Sequence, residues 1–296
     1  MRSILERLQS GEILFCDGAM GTFLQAKGLE AGTCPELWCV ERPEDVKAIH
    51  QAYKDAGSDL VECNSFGGSR YKLAHYGLAD RAAEINRAAA AIAREVAGDD
   101  QHVLASAGPT GEFMEPYGTA TEEEFYEAFK TQMVAFEEGG ADCVIVETMT
   151  GVEEAAVAVR AARENTGLTV LTSFTFDPQV EEGKYATMMG VTPDRFAAAL
   201  KEAGAHILGS NCGTGPDHMK NIIAQIRAAE PDLPIIAMPN AGMPVIENGE
   251  TVFKETPEQM AAKAPILRDA GASIIGGCCG TGPDHIAAMR KAIRGA

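Results

Sequence analysis

The sequence predicts an α/β protein of one domain, a single (β/α)8 TIM barrel, and three observations carry that prediction. Eight short β-rich runs alternate with eight helical stretches, four helix–strand junctions are near-identical, and no linker or charge block divides residues 1–296 into two units.

The runs are ILFCD (13–17), DLVEC (59–63), HVLAS (102–106), CVIVE (143–147), TVLTSF (169–174), HILGS (206–210), PIIAM (234–238) and SIIGG (273–277). Several are almost continuously apolar, as parallel strands covered on both faces require. Helices are expected between them, near 43–56, 80–97, 121–138, 152–165, 193–203, 217–229, 257–270 and 284–293. Thr121 with Glu122, Glu123 and Glu124 behind it forms a capping box with negative charge in the first turn, and Pro193 and Pro257 stand at helix starts. The junctions DAGSDLVE (55–62), EGGADCVIVE (138–147), EAGAHILGS (202–210) and DAGASIIGG (269–277) carry Gly57, Gly140, Gly204 and Gly271, each suited to the left-handed turn that ends a helix. The stretch after the first run, DGAMGTFLQAKGLEAGTCPELWC (17–39), is unusually long and holds the only Trp. Ligand loops of such barrels lie at the carboxyl ends of strands, so a lid or pocket wall is expected there.

Lys and Arg number 25 against 43 Asp and Glu, a net charge of −18, which argues against nucleic-acid binding. The surplus serves solubility or the steering of a basic partner. No run approaches the roughly 18 apolar residues that span a bilayer, and MRSILERLQSGE lacks the apolar stretch of a secretory signal. A cytoplasmic location is expected. Eight cysteines are too sparse for a disulfide scaffold, so they are expected to be thiols or metal ligands.

An internal repeat locates the chemistry. GSNCGTGPDH (209–218) and GGCCGTGPDH (276–285) share the six consecutive residues Gly213–His218 and Gly280–His285 behind a matching cysteine, each copy following a strand and opening a helix. Cys212 and Cys279 are equivalent, and Cys278 is extra. Strands 6 and 8 both neighbour strand 7, so these cysteines can meet at the functional rim. Inert buried thiols, a redox pair and a three-thiolate zinc site with an open fourth position are the readings of such a group. Adjacent cysteines fit disulfide geometry poorly. Three thiolates already donate heavily, so a zinc ion among them suits a bound substrate sulfur better than bound hydroxide.

Asp17, Glu62 and Glu147 end the first, second and fourth runs, where they would need a cationic partner or polar donors. Backbone N–H groups of nearby turns are the plain alternative for Asp17 and Glu147. Asn64, Ser65 and Asn240 are further polar rim groups, whereas His218 and His285, identically placed in the two repeats, are expected to pack at helix starts rather than bind metal. There is no G-x-G-x-x-G after the first strand, no Walker A and no H-E-x-x-H.

Taken together, DGAMGT (17–22), ECNSFG (62–67), GPTGE (108–112), VET (146–148), SNCGTGP (210–216), PNAGMP (239–244) and GGCCGTGPDHI (276–286) resemble the homocysteine S-methyltransferase family, nearly end to end. Its zinc-dependent barrels include the homocysteine-binding domain of cobalamin-dependent methionine synthase and the betaine and S-methylmethionine enzymes. The resemblance implies that Cys212, Cys278 and Cys279 are zinc ligands and that homocysteine sulfur takes the fourth position and accepts a methyl group. It implies that Glu147 receives the substrate ammonium, that Asp17, Gly18, Ala19 and Thr22 line the same pocket, and that Asn240 organises the site beside the metal; Asn64 is expected among the substrate contacts as a polar rim group. No catalytic side chain beyond the metal ligands is implied. PNAGMP and GGCCGTGPDHI look most like the cobalamin-dependent branch, implying methylcobalamin on a separate protein or domain, since the chain is too short to carry a corrinoid domain behind its barrel. Two departures stand out: ECNSFG, with Cys63, replaces an ETNTFG-like motif, and Gly213-Thr214 replaces Ala-Leu. Donors such as S-methylmethionine or betaine, transfer from another methylated substrate to a corrinoid protein, and a non-enzymatic zinc or thiol-binding module are the competing expectations.

Overall fold

Each of the eight runs becomes a strand in a computed structural model that describes residues 2–247 and 250–295. The strands are β1 (Leu14–Phe15), β2 (Leu60–Glu62), β3 (His102–Ala107), β4 (Cys143–Met149), β5 (Thr169–Phe174), β6 (Leu208–Asn211), β7 (Ile235–Met238) and β8 (Ile274–Ile275). All pair in parallel, in the order β1-β8-β7-β6-β5-β4-β3-β2, which brings β1 round to β2. The covering helices are α1 (Pro43–Asp55), α2 (Ala82–Ala97), α3 (Glu122–Glu138), α4 (Val152–Asn165), α5 (Pro193–Ala203), α6 (Pro216–Ala229), α7 (Pro257–Asp269) and α8 (Pro283–Arg294). The barrel expected from the sequence is therefore the fold. None of the described helices is long and apolar enough to cross a membrane.

The β1–β2 seam closes mainly through side chains. One backbone bond crosses it, from Asp59 N to Phe15 O at 2.6 Å. On either side of that bond, Asp59 Oδ2 accepts Phe15 N and Asp17 Oδ2 accepts Glu62 N, both at 2.8 Å. Arg7 and Arg294 pair with Asp59 and keep its carboxylate compensated.

Strand alternation divides the core in two. Outward rows such as Val61, Val103, Val144, Val170 and Ile235 pack against the helices. Inward rows, Leu14, Leu60, Leu104, Ile145, Leu171, Ile207, Ile236 and Ile274, fill the barrel, and Ile4 and Leu8 of the short helix Ile4–Gln9 join them. Further along the same inward rows, two residues per step, stand Glu62, Ser106, Glu147, Ser173, Asn211 and Cys278. The pleat that builds the apolar core thus delivers polar groups into the carboxyl-terminal mouth.

The expected helix ends hold. Thr121 and Glu124 form the capping box, and Gly57, Gly140, Gly204 and Gly271 all have positive φ. What the sequence reading missed are two antiparallel hairpins inside connections, Asp177–Pro178 with Tyr185–Ala186 and Val245–Glu247 with Glu250–Val252, and the short helices Gly21–Ala26, Trp38–Glu41 and Arg70–Ala74. All are too short to show a hydrophobic period.

His50 on α1 is fully buried with neither ring nitrogen bonded, and burial pushes its imidazole down to about 4. Below the unfolded value of about 6.5 the unfolded chain binds this proton and the folded chain does not, so the contribution is present above about 6.5 and is lost as pH falls towards 4. The loss amounts to about 3 kcal/mol. Urea denaturation of wild type and His50→Leu across that window should show the wild type losing stability more steeply as the solution is acidified. Parallel pH profiles would contradict the assignment.

Candidate metal and amino-acid site

The two cysteine turns are built around the continuation of β7. Cys212 leaves β6 and donates its N–H to Met238 O at 3.1 Å, while Cys278 N donates to Pro239 O at 2.9 Å. Asn240 completes the join: its N donates to Thr214 O at 3.0 Å, and its Oδ1 accepts Cys279 N at 3.1 Å. The turns after β6 and β8 are thus laced to one intervening segment, and the Sγ atoms of Cys212, Cys278 and Cys279 lie within 4.8 Å of one another.

One edge of the donor set matches a tetrahedral ion. Four ligands at ~2.3 Å from zinc define a tetrahedron with edges of about 3.8 Å, and Cys212 Sγ and Cys279 Sγ are 3.8 Å apart. Crowding also differentiates the thiols. The Cys212 thiol is held down at about 3 by hydrogen bonds from Cys278 and Cys279, whereas those two are pushed up, first by their contact with Cys212. Three thiolates this close need a cation among them.

Each cysteine turn is roofed by the hairpin that follows the preceding strand. Gly213 (φ +67) lies under Thr175 and Phe176, and Gly280 (φ +81) lies so close to Phe253 that a Cβ would stand 2.3 Å from its Cβ. The repeated histidines tie down these connections. His218 Nδ1 is 3.1 Å from Tyr185 OH in the first hairpin. His285 Nδ1 accepts Gly282 N, so its Nε2 donates to Glu255 O just beyond the second hairpin, at 3.0 Å. Both rings are occupied at helix starts, as the sequence suggested.

Across the mouth stand three carboxylates. Glu147 Oε1 accepts Ser106 Oγ, and Glu147 Oε2 accepts Asn211 Nδ2 at 3.3 Å. Asp17 Oδ2 accepts Glu62 N, and Cys16 Sγ donates to Asp17 Oδ1 at 3.5 Å. No cationic group is among the influences on any of the three. Burial pushes Asp17 up to about 7 and raises Glu62 and Glu147 as well, Glu62 also through the Glu147 and Asp17 charges beside it. Such a cluster is suited to an organic cation.

The remaining sequence candidates divide. Asp17 O accepts Gly277 N and Ala19 N donates to Thr281 O, which lays the Asp17–Ala19 turn, with Gly18 inside it, against the Cys278 turn. Thr22 is exposed on the helix Gly21–Ala26. Asn64 faces the long first connection, donating to Pro35 O at 2.8 Å, and Ser65 Oγ donates to Ser106 O at 2.8 Å. Cys63 is buried. Sequence reasoning missed Ser106, Asn211 and Thr148, although counting in steps of two from Leu104 and Ile207 would have turned the first two inward. Thr148 and Cys212 have φ of 57° and 58°. Among the described residues they are the non-glycine ones in the left-handed region, at a cost of about 1–3 kcal/mol each.

A family model described as homocysteine S-methyltransferase matches residues 14–293. The methionine synthase of Mycobacterium leprae is 32% identical to the chain, over 98% of the chain and 25% of that protein, and the methionine synthase of Mycobacterium tuberculosis is 31% identical over 96% and 25%. The chain thus spans about a quarter of the length of the curated relatives it matches. Among solved structures, the homocysteine methyltransferase MmuM from Escherichia coli, in its metallated form, superposes with a TM-score of 0.78 at 24% identity, covering 96% of this chain and 98% of that one. That likeness speaks to the fold.

The other five of the eight cysteines are buried. In the metal-free native protein a thiol reagent should label Cys212, Cys278 and Cys279, with Cys212 fastest, and reach the rest only in denaturant. Equal labelling of all eight under native conditions would contradict this burial pattern.

Proposed function

Because the chain belongs to the homocysteine S-methyltransferase family, we propose that it is a zinc-dependent methyltransferase whose acceptor is homocysteine sulfur. In this reading Cys212, Cys278 and Cys279 hold the ion, residues 1–296 act as one module, and the methyl group comes from methylcobalamin on a separate protein or domain. The observation that carries it is the cluster of three sulfur atoms within 4.8 Å of one another, joined through Asn211 to a carboxylate cluster that has no cationic neighbour among the described residues.

When bound, zinc supplies Lewis-acid stabilisation that keeps a substrate thiol ionised at neutral pH. The chain's own groups do the rest. Glu147, held by Ser106 and Asn211, receives the substrate ammonium, and Asp17 and Glu62 share its charge. Asn240 fixes the Cys279 turn, and the Asp17–Ala19 turn with Thr22 beyond it walls the pocket. Both ends of the amino acid are then anchored, which holds its sulfur in one orientation.

The donor reading draws support from the rim. Exposed large apolar side chains concentrate on the loops after β2, β3, β5 and β7, including Phe66, Phe113, Tyr117, Met188 and Ile246, with Tyr117 84% and Met188 78% exposed. Exposed apolar side chains on several loops of one rim suit a docking protein partner. Beside it, a cavity of about 380 Å³ opens between the connections that follow β3 and β4.

The reading is tested by variants, spectroscopy and donor assays. Cys279→Ala should lose stoichiometric zinc and all turnover; retention of both would overturn the ligand assignment. Glu147→Gln should keep zinc while raising KM for homocysteine ~10- to 100-fold, as loss of a charged partner predicts, and X-ray absorption should show zinc sulfur ligands rising from three to four on adding homocysteine, whereas a non-enzymatic module would show no change. Tyr117→Lys with Met188→Lys should raise KM for a methylcorrinoid protein but leave turnover with free methylcobalamin intact. Turnover with S-methylmethionine or betaine alone would reassign the donor, and none with any donor would reject the acceptor.

A further inference from the structure

Asn211 stands where the metal cluster and the amino-acid pocket meet, and every hydrogen-bonding position of its side chain is used. Its Oδ1 accepts Thr148 N at 3.0 Å and Ser173 Oγ. Its Nδ2 donates to Thr148 Oγ1 at 2.7 Å and to Glu147 Oε2 at 3.3 Å. Its backbone O accepts Thr175 Oγ1 at 3.0 Å. The side chain is 1% exposed, so none of these bonds can be traded for water. Asn211 therefore joins β4, β5 and β6 while being covalently next to Cys212.

We propose that Asn211 is a positioning residue that makes the Glu147 pocket and the Cys212 ligand a single mechanical unit, so that an amino acid binding at Glu147 resets Cys212. The proposal rests on the function proposed above. Two left-handed residues flank the linkage: Thr148 follows Glu147, and Cys212 follows Asn211. Thr148 is held in that conformation by two bonds to the Asn211 amide, one at its N–H and one at its hydroxyl. An ammonium drawing on Glu147 Oε2 pulls on the same amide, and Asn211 has no spare bond with which to absorb the shift. The next segment along is Cys212. Ser106 contacts Glu147 but lies on β3, and Asn240 serves Cys279, so neither makes this connection.

Asn211→Asp is the informative variant. It keeps an acceptor for Thr148 N and Ser173 Oγ but loses both donations and sets a second carboxylate against Glu147. The protein is loaded with cobalt(II), whose visible thiolate bands report the ligand field, and titrated with 2-aminobutyrate, which is homocysteine without its sulfur. In the wild type the bands should shift, with the saturation constant at which 2-aminobutyrate competes with homocysteine. Asn211→Asp should retain cobalt, bind 2-aminobutyrate at least about tenfold more weakly, and leave the bands in place at saturation. It should raise KM for homocysteine more than KM for 2-mercaptoethanol, which has no ammonium; a merely structural role would affect both thiols alike. Should Asn211→Asp fail to fold, Ser173→Ala, which removes one anchor of the amide, should keep cobalt and reduce the shift. Wild-type bands that stay fixed while 2-aminobutyrate competes, or a full shift in the variants, would overturn the inference alone. A wild type that binds neither cobalt nor homocysteine would overturn the proposed function and the inference with it.

Discussion

The alternation of side chains along eight parallel strands is the constraint on which the rest of the molecule depends. A closed barrel can take only one row of each strand inside, and that row must be apolar where the interior is sealed. Leu60, Leu104, Ile145, Leu171 and Ile207 meet this requirement. Because the period is two, the identity of every inward residue at the mouth follows from the register below it. Glu62, Ser106, Glu147, Ser173 and Asn211 converge from the strands themselves without any loop having to fold specially to present them, and Cys278 joins them from the turn after β8. Groups carried on strands in this way are held more firmly than groups carried on loops.

The loops contribute something different. Two connections with the same plan, strand then hairpin then helix, each cover the cysteine turn of the next strand, and each is tied by the histidine of a GTGPDH segment. The repeat visible in the sequence is therefore the end of a longer structural repeat, β5 to α6 and β7 to α8, whose hairpins share no recognisable sequence. The extra cysteine, Cys278, belongs to only one copy, and it converts a pair of equivalent thiols into a group of three.

Legibility followed the physics of each signal. The strands and covering helices were readable because long apolar runs, prolines at helix starts and glycines at helix ends are local and strong. Cys212, Cys278 and Cys279 were readable because the repeat and the strand order placed them together. Asp17, Glu62 and Glu147 were readable as strand-end acids, but that Asp17 also bonds Glu62 N across the seam depends on barrel closure, which no local pattern encodes. Asn64 was readable as a polar rim group, but that its amide donates to Pro35 O depends on how the long first connection folds back. Asn211 was overlooked for the opposite reason: its importance lies in four bonds to residues far away in sequence.

The β1–β2 seam carries a consequence for local motion. Elsewhere adjacent strands share backbone ladders, but here a single N–H···O=C bond is flanked by two amides bonded to carboxylates. Phe15 N and Glu62 N are thus held by side chains rather than by a ladder, so the pairing of these two strands depends on where the Asp59 and Asp17 carboxylates sit. The long first connection leaves the barrel at this place. The same edge abuts one of the two cysteine turns, because Asp17 O accepts Gly277 N at 3.0 Å and Ala19 N donates to Thr281 O at 3.1 Å, so a shift of the seam is felt directly beside Cys278.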